Sequence, residues 1–369
     1  METETIDCQG CGVRIQTTAK DQPGFTPVFS LQKEVVLCQR CFRLKHYNEI
    51  QDVSITDDDF LKMVSSIRDT SGLVVHIVDI FDVDGSLIHG LPRLVGEKSI
   101  LLVGNKMDLL PKSVNTRKLL QWLRSQAKQA GIKVADACLI SSAKGHGIAE
   151  LSEKIEEQYR QGDNVYIVGT TNVGKSTFIN RLIKQSTGFS EVITTSYFPG
   201  TTLGFIEIPL DDRSALIDTP GIVNKQQMAH YISGEDLKLI TPNKEIKPRI
   251  YQLNDGQTLF FGGLARLDFI KGDKQSFVCY FSNQLPIHRT KLEKADDLFA
   301  NHCGELLIPP TEASIDQIPP MISDTFRIKE GKYDIVFPGL GWVSILGEGA
   351  TVTAHRPKGV AVSIRQSFN

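Results

Sequence analysis

The chain alternates between short, uninterrupted apolar runs and longer stretches in which apolar residues recur every three or four positions. The runs lie near 73–79 (LVVHIVD), 100–104, 137–140, 165–168 and 215–218. Such runs, bounded by polar or glycine-rich segments, predict strands buried on both faces. The periodic stretches near 115–130, 148–160 and 175–184 predict helices. Strand and helix in alternation predict a doubly wound, mostly parallel α/β sheet with its ligand loops at the strand carboxyl ends. His76, inside the first run, is read as a core residue rather than a catalyst.

Past Gly221 the pattern changes. A helix is expected over 228–240, and Pro242 and Pro248 interrupt the segment after it. Strand-like runs lie at 258–261, 267–270, 276–281, 335–337, 342–345 and 361–364, with a helix expected over 290–303. Their alternation and glycine breaks predict a C-terminal α+β domain without a catalytic constellation. Phe260, Phe261, Phe337 and Trp342 fit a packed core, the commoner use of strand aromatics, or a surface on which bases stack.

The polar segments after the strands carry the candidate chemistry. Tyr166-Ile167-Val168 leads into Gly169-Thr170-Thr171-Asn172-Val173-Gly174-Lys175-Ser176-Thr177. Glycines at those positions let backbone N–H groups approach phosphates, Lys175 can reach the β- and γ-oxygens, and Ser176 can ligate Mg²⁺. The helix N-terminus adds positive potential. About forty residues on, Asp218-Thr219-Pro220-Gly221 comes after a strand, where Asp218 can hold Mg²⁺ through water and the Gly221 N–H can meet a γ-phosphate. Between them lies Pro199-Gly200-Thr201-Thr202, from which Thr202 is taken to cap Mg²⁺, with Thr201 the alternative.

Upstream, the run ending at Gly104 meets Asn105-Lys106-Met107-Asp108. Asp108 can accept from the N1–H and 2-amino group of guanine, a donor pair that adenine lacks. Asn105 is expected to tie loops together, and the Lys106 stem to cover the base. A further strand runs into Ser141-Ser142-Ala143-Lys144, where a backbone N–H near Ala143 would meet the base O6, with Ser142 and Lys144 beside it. Each tetrad alone also fits a polar strand exit. Four of them together at strand ends imply a GTP/GDP site. Its base motif precedes the phosphate loop, whereas an ordinary GTPase has the reverse order. The helix near 160 then joins the phosphate-loop strand through the short link Gln161-Gly162-Asp163-Asn164. The position after Gly221 is Ile222, which cannot orient a water as a glutamine would, so slow intrinsic hydrolysis is expected.

Cys8-Gln9-Gly10-Cys11 and Cys38-Gln39-Arg40-Cys41 are two C-x-x-C knuckles, and four thiolates can close a tetrahedral zinc site. The gap of 26 residues between Cys11 and Cys38 exceeds the usual spacing of about 15–20, so a small β-hairpin is expected to fill it. Cys138, Cys279 and Cys303 stand alone and are read as buried thiols. Arg40, Arg43, Lys45 and His46 cluster after the second knuckle and fit either RNA phosphate contacts or a solvated helix face.

Composition narrows the remainder. At 369 residues, two or three domains are expected, placed at 1–50, 51–225 and 226–369. A net charge of −2 gives no global nucleic-acid signal. No run of about 18 apolar residues predicts a membrane span, and the polar N-terminal segment leads to an expected cytoplasmic location.

With CQGCG, CQRCFRLKHYNE, NKMD, SSAKG, GTTNVGKS, PGTT and DTPG in this order, the chain resembles the YqeH family of circularly permuted bacterial GTPases over nearly its whole length. The resemblance implies a GTP-hydrolysing switch in assembly of the small (30S) ribosomal subunit, with ribosomal RNA or protein as partner. An alternative is a nucleotide-gated zinc/RNA-binding module in which hydrolysis is only a slow timer. The resemblance also implies an RNA-binding-type fold for the C-terminal domain and favours the RNA reading of the basic cluster. It gives Asn172 the coordination of K⁺ in place of an arginine finger, while a plain loop role for Asn172 stays open, because asparagine tolerates left-handed turns.

Overall fold

The computed structural model describes residues 6–9, 13–20, 22–33, 35–47, 54–55, 67–160, 162–185, 206–210, 212–219, 221–232, 234–347 and 349–368. These form two compact units. The first takes the described residues of 1–80, 86–107 and 120–223; the second takes 81–85, 108–119 and 224–369.

The first unit is built on six strands: β1 (Gly72–Asp79), β2 (Ser99–Asn105), β3 (Asp136–Leu139), β4 (Asn164–Val168), β5 (Ile206–Pro209) and β6 (Ala215–Asp218). Their order in the sheet is β3-β2-β1-β4-β6-β5. All neighbours are parallel except β5 and β6. β1 is buried along both faces, as its apolar run predicts. From β1 the chain steps outward through β2 and β3 on one side and then crosses to β4 on the other, so the sheet's switch point lies between β1 and β4, where the carboxyl ends open a crevice. The predicted helices appear as α2 (Thr116–Gln129), α3 (Ile148–Gln158) and α4 (Lys175–Gln185). Leu73, Val75, Ile77, Leu101, Val103, Ile148, Leu151, Ile167, Phe178 and Ile179 close the core between sheet and helices. The link after α3 turns tightly: the Gly162 N–H donates to Ser214 Oγ at 3.0 Å and the Ala215 N–H to Asn164 Oδ1 at 3.0 Å.

The cysteine segment belongs to the same unit, and α1 (Gln39–Tyr47) opens directly after Cys38. The hairpin expected between the knuckles is replaced, among the described residues, by a single bridge of Gln16 with Phe25 and a 3₁₀ turn over Val28–Gln32. With Gly24 at φ 81° and few apolar positions to line a strand face, turns fill the span.

The second unit carries ten strands, from β7 to β16: Arg249–Leu253, Gln257–Phe261, Ala265–Lys271, Gln275–Phe281, Ile287–Lys291, Met321–Arg327, Gly331–Phe337, Gly341–Gly347, Thr351–Pro357 and Ser363–Gln366. They form two antiparallel five-stranded sheets, β11-β8-β9-β15-β12 and β16-β13-β14-β10-β7. Leu259, Phe261, Leu267, Phe269 and Val352 from the first meet Phe277, Phe281, Ile335, Phe337, Val343 and Ile345 from the second in one core. The expected α+β balance is therefore shifted toward β, with helices of only seven and eight residues at Gly234–Ile240 and Ala295–His302. The helix expected over 290–303 starts later, because Thr290 and Lys291 pair with Thr258 and Gln257 in the sheet. The helix expected over 228–240 splits into a 3₁₀ turn at Met228–His230 and Gly234–Ile240. Phe260, Phe261, Phe337 and Trp342 are all buried, which removes the base-stacking alternative for them.

Candidate functional site

The loop after β4 is shaped for close backbone approach. Gly174 has φ +90°, and a Cβ there would lie 2.5 Å from Asn105 Nδ2; a Cβ on Gly169 would lie 2.5 Å from the Ile77 carbonyl oxygen. Asn172 also takes a left-handed φ, 63°, so its loop role is met by conformation whatever its side chain does. Lys175 is buried and folds back over its own loop, with Nζ 3.2 Å from the Gly169 oxygen and 2.9 Å from the Thr170 oxygen. Val173 and Ser176 are buried, while Thr177 is exposed.

Asp218 ends β6, two positions along the sheet from β1, and is buried. The adjoining Thr219 hydroxyl donates to the Ile167 oxygen at 2.7 Å, fastening the turn to β4. Gly221 and Ile222 pair in parallel with Ser54 and Ile55, and the Ile222 oxygen accepts from the Thr171 N–H at 2.9 Å. A Cβ on Gly221 would lie 3.0 Å from Lys175 Nζ, which places this glycine against the lysine head. Pro220 and the whole of Pro199–Thr202, including Thr202, lie outside the described residues.

The upstream tetrads are drawn onto the phosphate loop by one side chain. Asn105 Nδ2 donates to the Val173 oxygen at 2.8 Å, and its Oδ1 accepts from both the Ser142 N–H and the Ser142 hydroxyl, each at 3.0 Å. Lys106 has φ 66° and pairs through Nζ with Asp79 Oδ2 at 2.7 Å. Asp108 is half-buried in the short turn Met107–Leu109. Ser141 accepts from the Lys144 N–H through Oγ at 3.0 Å and from the Gly145 N–H through its carbonyl at 2.7 Å, a turn that leaves Ala143 and Lys144 exposed.

Three participants are not visible in the sequence pattern. Asp79 closes the apolar run of β1 and reads there only as its polar end. Arg181 donates to the Ser142 oxygen at 3.2 Å and the Ala143 oxygen at 2.6 Å from the second turn of α4. Arg40, read as part of a basic surface cluster, is instead buried and paired with Asp218. Nothing in local spacing marks the last two, since their partners are remote in sequence.

Cys8, Cys38 and Cys41 bring their sulfurs within 4.8 Å of one another, all buried. A tetrahedral zinc–thiolate site needs sulfurs about 3.8 Å apart, so the cluster fits zinc with little movement. The Cys38 N–H points at Cys8 Sγ at 3.1 Å, a contact that favours a thiolate. Cys11 lies outside the described residues, as do the side chains of Lys45 and His46. Cys138 and Cys279 are buried, and burial pushes the Cys138 thiol up to about 12, so both are core residues; Cys303 is half-buried.

A family model described as "50S ribosome-binding GTPase" matches residues 164–255, and one described as "YqeH-like, C-terminal" matches 274–368. YqeH of Bacillus subtilis strain 168 is 58% identical over 365 residues, covering 99% of this chain and 100% of that protein. The chain belongs to the YqeH family. Mouse nitric oxide-associated protein 1 is 26% identical over 97% of this chain and 74% of its own length. GTPase Der of Methylococcus capsulatus is 31% identical over 45% of this chain and 36% of its own length. The chain thus carries a GTPase domain, which implies Mg²⁺ as cofactor, and the buried hard-oxygen donors Ser176 and Asp218 suit that ion. Among the described residues no helix is long and apolar enough to cross a membrane.

Proposed function

We propose that this chain is a GTP-binding and GTP-hydrolysing switch that acts in assembly of the small ribosomal subunit through contacts with RNA or ribosomal protein. The observation that carries the nucleotide part is the triple bonding of Asn105. It joins Val173 of the phosphate loop to Ser142, which supports reading Lys106, Asp108, Ser142, Ala143 and Lys144 as the base side of the site and Gly169, Asn172, Val173, Gly174, Lys175, Ser176 and Thr177 as its phosphate side. In this reading Asp108 selects guanine, Lys175 and the Gly221 N–H meet the phosphates, and Ser176, Asp218 and Thr202 hold Mg²⁺. The ion, when bound, neutralises charge developing on the transferred phosphoryl group.

The fold is read as a circularly permuted GTPase domain. Support comes from the sheet order, from the tight link at 162–164, and from the GTPase family match. That match starts at residue 164 and leaves the base motifs outside. Domain limits at 1–50, 51–225 and 226–369 belong to the same proposal, as do zinc on Cys8, Cys11, Cys38 and Cys41, and a cytoplasmic site of action suited to reduced thiolates. Nucleotide state is expected to alter partner binding through the C-terminal region, and that requires different affinities in the two states.

The deciding experiment is sedimentation with isolated 30S and 50S particles in GTP-analogue, GDP and nucleotide-free states. Co-sedimentation with 30S in one nucleotide state supports the assignment. Because the matching family description names the 50S particle, binding to 50S alone would redirect it. Loss of nucleotide binding is expected for Lys175→Ala.

Ile222 favours the slow-timer variant of this reading, since its side chain cannot orient water and its carbonyl is already committed to Thr171. Single-turnover hydrolysis with and without subunits separates the two. The K⁺ role of Asn172 is tested by Asn172→Gly, which keeps the left-handed backbone and removes the amide. Faster turnover in K⁺ than in Na⁺ is expected for the parent and should vanish in the variant.

A further inference from the structure

The second cysteine knuckle reaches into the nucleotide site. Arg40 is 5% exposed and Asp218 2% exposed, and the guanidinium Nη2 of Arg40 binds Asp218 Oδ2 across 178 residues of sequence. The arginine is held there by its surroundings. The Cys38 N–H contacts Cys8 Sγ at 3.1 Å, the Gln39 N–H donates to the Phe25 oxygen at 2.6 Å, and the Phe42 N–H donates to the Cys38 oxygen at 2.9 Å. These bonds fix the first turn of α1 on the cysteine cluster, with Arg40 one residue before Cys41.

A buried carboxylate needs a cationic or hydrogen-bonding partner, and removing that partner is costly. A divalent cation near Asp218 supplies another positive charge, and two cations crowded against one carboxylate repel. We infer that Arg40 is a positioning residue that competes with Mg²⁺ for Asp218, so that filling the nucleotide site with Mg²⁺·nucleotide releases the first turn of α1 and reports nucleotide state to the cysteine module. The inference rests on the nucleotide reading given above. It gives the module a role beyond stability: the module holds the counter-ion that the metal must displace.

The test uses the full-length, zinc-loaded protein and a fluorescent GDP analogue titrated at increasing Mg²⁺. Arg40→Ala should lower the Mg²⁺ concentration needed for half-maximal tightening by about tenfold, equivalent to about 1.4 kcal/mol. Arg40→Lys, which keeps a cation, should remain close to the parent. Amide exchange of the parent should show residues 39–43 losing protection when Mg²⁺·nucleotide is added, while Arg40→Ala shows no such change.

An unchanged or raised Mg²⁺ requirement in Arg40→Ala overturns the inference, as does Arg40→Lys behaving like Arg40→Ala. Zinc content checks that the variants fold. If Arg40→Ala does not retain zinc, the parent exchange experiment decides alone, and unchanged protection of 39–43 overturns the idea. Nucleotide binding by the parent with none of these effects sinks this inference only. A parent that binds no guanine nucleotide sinks the nucleotide reading and this inference together.

Discussion

His76 is fully buried in β1, its Nδ1 3.3 Å from the Val168 oxygen of β4 and its Nε2 accepting from the Ile88 N–H at 3.3 Å. That arrangement suits the neutral ring. Burial lowers its pKa to about 4, against the pull of the Val168 hydrogen bond and helped by the positive charge of Lys175. The unfolded ring binds a proton near pH 6.5, so between about 6.5 and 4 the unfolded state holds more protons and stability falls as pH falls. Between pH 7 and pH 5 the loss from this residue should be about 2 kcal/mol. Urea denaturation at the two pH values checks this, and His76→Gln should flatten the difference. Asn105 poses a different residue-scale problem. Removing its amide strands the buried Val173 carbonyl and the Ser142 N–H, at about 1–3 kcal/mol for each group left unsatisfied. Asn105→Ala should therefore weaken GDP binding about tenfold or more, read by fluorescent-nucleotide titration, with a lowered melting temperature. The sequence identified Asn105 by its place at a strand end. The two loops it grips come from 37 and 68 residues away.

At the scale of elements, the five parallel strands of the first sheet and the helices beside them were legible because those strands write short apolar runs, whereas the antiparallel edge strand β5, with Glu207 between Ile206 and Ile208, writes none. The antiparallel sheets were less legible for the opposite reason. β12 (Met321–Arg327) is an edge strand exposed or half-exposed throughout, so no buried face marks it in sequence. β15 (Thr351–Pro357) buries only alternate residues and carries Thr, His and Arg between them, a pattern that also fits a polar loop. The cysteine segment sits at the other extreme. Its buried apolar cluster is Cys8, Cys38 and Cys41, with Val13, Ile15 and Leu37 packed partly against them, and Phe25 and Val36 are the other buried apolar residues among those described, little apolar surface to hold the turns by burial alone. Metal removal should melt this element first. A strong chelator is expected to abolish amide protection over residues 35–43 while the β1–β4 strands keep theirs, with zinc content tracked in parallel; retained protection after complete zinc loss would show that the segment folds without metal.

On the scale of the whole molecule, the chain divides into two units with separate apolar cores, and chain order does not respect that division. Residues 81–85 and 108–119 belong to the second unit although they interrupt the stretch that builds the parallel sheet. Within that unit the Leu109 oxygen accepts from the Ile246 N–H at 2.9 Å, and Gln227 Nε2 donates to Asp82 at 2.7 Å. Phe337 stands in the middle of the second core, against Phe261 at 5.7 Å between ring centres. Phe337→Ala should destabilise that unit by about 3–5 kcal/mol. In a calorimetric scan, saturating GDP is expected to raise the transition of the first unit by mass action and to leave the weakened one behind; a single transition moving as a whole would show the two units to be one cooperative system. The sequence by itself determined the parallel sheet, the loops at its strand ends and the cysteine pairs, because apolar periodicity and short motifs are local properties. Only the tertiary structure decided that strand aromatics are core, that Asn105 joins three loops, and that Arg40 sits on Asp218. Burial and ion pairing between remote segments depend on where the chain returns in space, and no local pattern encodes that.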